Sequence, residues 1–107
     1  MAQLEQQFDE YLIYYRSGAE PAKPRVFINF FKANSYVGGL RFLADGLALP
    51  TNTGTANSIE LNYSLSQFND LITILRYEKP LYLYLSTDTH VGMVSTAAEP
   101  IGEEEPA

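Results

Sequence analysis

Apolar positions recur along this chain with two different periods, and the changes of period mark the expected elements. Over residues 3–16, Leu4, Phe8, Tyr11, Leu12 and Tyr15 recur at spacings that gather on one helical face. Gln3, Glu5, Gln6, Gln7, Asp9 and Glu10 take the other side, so the spacing predicts an amphipathic helix. Acids toward its start and Arg16 at its end suit the helix dipole, and Ser17-Gly18 supplies a C-cap. Ile13 and Tyr14 widen the apolar face, predicting a helix gripped on two sides. Residues 19–24 form a connector held extended by Pro21 and Pro24. From 25 to 33 the period drops to two, with Val26, Ile28 and Phe30 on one face and Phe27 and Phe31 on the other. A strand apolar on both faces is expected to be central and covered on both sides. Asn34-Ser35 marks a turn, and residues 36–44 return as the second arm of a hairpin. Gly38-Gly39 within that arm predicts a bulge or a close backbone approach.

Between 45 and 57 the pattern dissolves into a loop rich in Gly, Thr and Asn. A loop of that length in a small domain is either functional or a mobile connection. Residues 59–85 are the most regular part of the chain and read strand, helix, strand. Residues 58–63 alternate polar and apolar. Ser64 and Gln67 have the spacing of a capping box, and Tyr63 and Phe68 that of a hydrophobic staple. Leu65, Phe68, Leu71, Ile72 and Leu75 make one apolar stripe, and Pro80 ends the helix near Tyr77 or Glu78. Residues 81–85 alternate leucine and tyrosine; after a turn at 87–89, residues 90–96 make a last strand. The expected fold is α+β in the order α-β-β-β-α-β-β, a mainly antiparallel sheet of about five strands with two helices packed on it. Its third and fourth strands are expected to run parallel through a right-handed crossover without being immediate neighbours. Ile28, Phe68, Leu71, Leu75 and Leu83 are the expected core. Residues 1–96 form the predicted single domain and 97–107 a flexible acidic tail.

Composition adds boundaries rather than a function. A chain of 107 residues, 46% hydrophobic, buries roughly two thirds of its unfolded surface. The absence of cysteine removes disulfides, thiolate nucleophiles and thiolate-held metals. No apolar run approaches the ~20 residues of a membrane span, and the polar, acidic start is unlike a signal peptide. A soluble cytoplasmic protein without membrane contact is the expectation. The net charge of −6 is concentrated at the end: residues 1–96 carry seven bases and nine acids. Between Glu20 and Asp45 the only charges are Lys23, Arg25, Lys32 and Arg41.

Catalytic signals are thin. Gly38-Gly39 lacks the spacing and the lysine of a phosphate loop. The one histidine, His90, stands beside a turn with only Asp88 near it, and reads as a solvated strand-end residue. Asp9 and Glu10 are adjacent and do not share a helical face. The hydroxyls of 51–58 have no base to activate them. No catalytic residue, metal ligand or cofactor is assigned, and a non-enzymatic protein is expected. The aromatic residues carry more information: eight tyrosines and six phenylalanines. Phe27 and Phe31 share a strand face with Arg25, and Tyr82 and Tyr84 share one on a later strand, turned outward if the leucines face inward. With Lys32 and Arg41 these form a candidate aromatic and basic binding face. It suits self-association, most simply as a homodimer, or another protein partner. It also suits stacking of unpaired bases with the cations meeting phosphates, although a nearly neutral body attracts a polyanion weakly. A third use of the rings is internal, covered by the chain's own first helix. A small ligand held under the 45–57 loop is a further class.

Overall fold

The computed structural model describes residues 3–18 and 23–96. Two sheets face one another across a single apolar core. The order of elements is β1 (Gln3–Phe8), β2 (Glu10–Tyr15), β3 (Val26–Lys32), β4 (Ser35–Leu43), β5 (Thr53–Gly54) and β6 (Ile59–Ser64). One turn of 3-10 helix (Leu65–Gln67) then leads into α1 (Phe68–Tyr77), followed by β7 (Leu81–Ser86) and β8 (Gly92–Thr96). One sheet has the order β1-β7-β8 and the other β2-β3-β4-β6-β5. Leu81, Leu83 and Leu85 on the smaller sheet meet Val26, Ile28, Phe30, Leu40, Phe42, Ile59 and Leu61 on the larger, and α1 inserts Leu71 and Leu75 into the same core.

This corrects the expected fold. The protein is mostly β, with one short helical segment in place of two helices and two sheets in place of one. Residues 3–16 are not a helix but two strands separated by Asp9, where the chain passes from one sheet to the other. The Asp9 amide donates to the Phe31 carbonyl while Glu10 stands opposite Phe31, so two residues oppose one. That extra residue makes the inward positions run Leu4, Phe8, then Tyr11 and Tyr15. A three-residue step inside a two-residue period imitates a helix.

The parallel pair is also different from the one expected. β4 and β6 are parallel neighbours in the larger sheet, whereas β6 and β7, which flank the helix, lie in separate sheets. The two glycines have the foreseen role of close backbone approach, Gly38 against β6 and Gly39 against Ile28 of β3. Val37 is the unpaired extra residue of a bulge, Gly38 has φ +143°, and a Cβ on it would overlap the Ile59 backbone. The helix starts and stops close to expectation: the Ser64 amide donates to Gln67 Oε1 at 2.9 Å. Asp45 Oδ1 adds a second cap by accepting from the Ser66 amide at 3.0 Å. Ile28, Leu71, Leu75 and Leu83 are buried, and Phe68 is partly buried against the same core. Among the described residues no helix is long and apolar enough to cross a membrane. The expected acidic tail at 97–107 and most of the connector at 19–24 lie outside the described residues.

Candidate functional site

The larger sheet has one face in the core and one turned away from it. Pairing across β2, β3, β4 and β6 sets Leu12 beside Asn29, Tyr14 beside Phe27, Phe27 beside Arg41, and Phe31 beside Tyr36 on that outward face. Glu60 and Asn62 continue it on β6. Tyr14 stacks on Phe27 with centroids 4.8 Å apart, and Phe31 meets Tyr36 edge-on at 6.2 Å. Leu12, Tyr14 and Tyr36 are exposed, and Phe27 and Phe31 are half-buried by their neighbours. Among the described residues β3 is therefore covered on one side only, contrary to expectation, and residues 3–16 form no helix to cover the other.

A polar anchor sits beside the rings. Arg41 and Glu60 form an ion pair at 2.8 Å, and the Tyr36 hydroxyl donates to the second Glu60 oxygen at 2.8 Å. The Arg41 guanidinium holds the Glu60 carboxyl below its ordinary pKa. Partial burial, then the hydrogen bond to Glu60, pushes the Tyr36 phenol up to about 12. A depression of about 340 Å³ opens on this face, lined by Arg16, Pro24, Phe27, Asn29, Tyr36 and Arg41. A smaller one of about 180 Å³ lies where β1 passes into β2, beside Leu75, Lys79 and Leu81.

Of the candidate residues, the fold brings together Phe27, Phe31 and Arg41. Arg25 immediately precedes β3 and is exposed; its amide donates to the Phe42 carbonyl at 2.9 Å. Lys32 ends β3 and lies 3.7 Å from Asp9. Tyr82 and Tyr84 are elsewhere. They lie on the outward face of the smaller sheet, opposite Gln7 and Glu5 of β1 and Ser95 and Met93 of β8. The candidate face is two faces, pointing away from the core on opposite sheets, because the two strands belong to different sheets. Sequence reading missed Leu12, Tyr14, Tyr36 and Glu60. The β-branched and aromatic run Tyr11-Leu12-Ile13-Tyr14-Tyr15 was the available signal.

The acid-free stretch of sequence is not acid-free in space. Asp9 reaches Lys32, and Glu60 reaches Arg41, from segments distant in sequence. Among the described residues no three His, Cys, Asp or Glu side chains gather to hold a metal. The 45–57 loop is tied down. Asn62 donates to the Pro50 and Thr51 carbonyls, Asn52 accepts from the Asn62 amide at 2.7 Å, and Asn52 donates to the His90 carbonyl at 3.0 Å. His90 is an exposed turn residue with φ +61°. Comparison with protein-family models, curated proteins and solved structures returns no match.

Proposed function

We propose that this protein is a non-enzymatic assembly module of the cytoplasm that works through protein contact, as a homodimer. The observation that supports the reading is the uncovered outward face of the larger sheet. Leu12, Tyr14, Phe27, Phe31 and Tyr36 form a stripe there that no described element covers. Apolar surface gathered in one place, rich in aromatic residues with an arginine at its edge, has the composition of an interface centre. Single exposed apolar residues mean little, but a contiguous stripe marks an interaction site.

The alternative use of the same rings is to stack unpaired bases, with Arg16 and Arg25 beside them for phosphates. Charge favours it less. Arg41 and Lys32 both stand against carboxylates, and Glu10 and Glu60 belong to the outward face itself. One experiment separates the readings: solution mass and oligonucleotide titration for wild type, Tyr14→Glu and Tyr84→Glu. For assembly through this face, the wild type is a dimer, Tyr14→Glu is a folded monomer, and Tyr84→Glu stays dimeric. A carboxylate buried without a partner opposes association strongly. A wild-type monomer that binds a single strand, with affinity lost in Tyr14→Glu, would replace assembly with the nucleic-acid reading.

A further inference from the structure

β2 is the outermost strand of the larger sheet, and among the described residues nothing pairs with its far side. The Arg16 amide donates to the Arg25 carbonyl at 2.8 Å, which identifies the bonded positions of this antiparallel pair. Bonded and non-bonded pairs alternate, and the register runs from Tyr15 opposite Val26 to Tyr11 opposite Phe30. Leu12 and Tyr14 therefore turn their backbone groups toward β3, and Tyr11, Ile13 and Tyr15 turn theirs outward. Edge strands are ordinarily blunted by charges or proline along the exposed stretch. Here that stretch is Tyr11-Leu12-Ile13-Tyr14-Tyr15, with charges only at its two ends, Glu10 and Arg16.

We infer that β2 pairs antiparallel with β2 of a second copy of this chain, about a two-fold axis at Ile13, joining the two larger sheets into one. This rests on the assembly reading and places its joint at the β2 border of the aromatic face, where Leu12 and Tyr14 lie. The backbone demands that the outward groups of Tyr11, Ile13 and Tyr15 meet their counterparts, and centring on Ile13 uses all of them. That register also sets Leu12 across from Tyr14 of the other copy, an aliphatic–aromatic cross-strand pair. It sets Glu10 across from Arg16, an ion pair that the symmetry makes twice. A slip of two residues either way would leave outward groups unpaired and separate those charges. Glu10 has no ion pair among the described residues. One Arg16 N–H donates to the Pro24 carbonyl at 3.2 Å, leaving its other donors for a carboxylate. In the joined sheet the two aromatic faces lie edge to edge on the same side.

The chain has no cysteine of its own, so two single variants give a direct test. Positions 12 and 14 would face each other as a non-bonded pair, with Cα atoms about 4.5 Å apart, inside the reach of a disulfide. Leu12→Cys and Tyr14→Cys, each oxidised alone, should give no cross-link; mixed and oxidised, they should give a disulfide-linked heterodimer. Arg16→Glu should raise the dimer dissociation constant roughly tenfold or more, Glu10→Arg likewise, and the double exchange should restore it. A wild-type dimer that yields no mixed cross-link and is indifferent to Arg16→Glu would overturn the β2 pairing while leaving assembly standing. A wild-type monomer at every accessible concentration would overturn both.

Discussion

β1 and β2 are two halves of nearly one strand, yet they are built to opposite specifications. Each lies at the edge of its sheet. Across β1, Gln3, Glu5 and Gln7 alternate with Leu4, Gln6 and Phe8, so its outward face is polar. Across β2, Leu12 and Tyr14 on the outward face are as apolar as Tyr11, Ile13 and Tyr15 on the inward one. A soluble edge is protected by polar and charged side chains, as β1 is. β2 has that protection only at its tips. Two edges of one chain segment share a solvent and a backbone geometry, so the difference in side chains supports the proposal that β2, unlike β1, meets a second protein chain.

The largest effect is expected where the halves join. Phe8 ends β1 and stacks on Phe30 of the larger sheet, centroids 4.0 Å apart, and it is 4% exposed. Phe8→Ala should lower unfolding stability by about 3–5 kcal/mol in a denaturant titration, because it empties the place where the strand binds both sheets. A midpoint close to wild type would mean that the two halves are not held by a common core.

A smaller change should tell the two edges apart. Leu12→Lys should weaken self-association by about 2 kcal/mol or more, since an ammonium would be desolvated at the joint. Gln7→Lys on β1 should leave solution mass unchanged. Equal tolerance at both sites would erase the contrast between the edges. Hydrogen exchange offers a gentler probe without mutation. The amides of Tyr11, Ile13 and Tyr15 should exchange roughly tenfold more slowly at high protein concentration than at low, and the free-edge amides of β1 should not change.

The smallest effect concerns the charge beside the rings. Glu60 is ionised more readily in the folded chain than in the unfolded one, because Arg41 and Tyr36 donate to it. Its stabilisation is present above the ordinary carboxylate pKa and is lost as pH falls through the lowered value. Glu60→Gln should therefore cost under about 1 kcal/mol at neutral pH, being a partly exposed pair. The difference from wild type should vanish in acid. A difference that grows as pH falls would contradict the assignment of charge on this face.

Local chemistry was legible wherever one element decided it. The helix from Ser64 to Tyr77 followed from its cap, its stripe and Pro80, all of which act within a few residues. Gly38-Gly39 announced a bulge, although only the fold showed which backbones approach it, Ile59 at Gly38 and Ile28 at Gly39. Residues 3–16 failed because a bulge at Asp9 shifts a strand's phase by one residue, and the resulting spacing matches a helix as well as a strand. The candidate face failed for another reason. Alternation along a strand says which residues share a side, but not which sheet the strand joins, so Tyr82 and Tyr84 could not be separated from Phe27 and Phe31.

The sequence by itself determined most of the alternating strands from residue 26 onward, the helix and its ends, the core positions Ile28, Leu71, Leu75 and Leu83, and the abundance of aromatic rings. These follow from side-chain periodicity and from residues that cap or break, which are properties of short segments. Tertiary structure alone decided the division into two sheets, the parallel pairing of β4 with β6, and the approach of Asp9 and Glu60 to a basic stretch that contains no acid. It also placed β2 at the edge of the larger sheet. Each of these depends on hydrogen bonds between segments far apart in the chain, and a strand carries no mark of its partner beyond which of its faces is apolar.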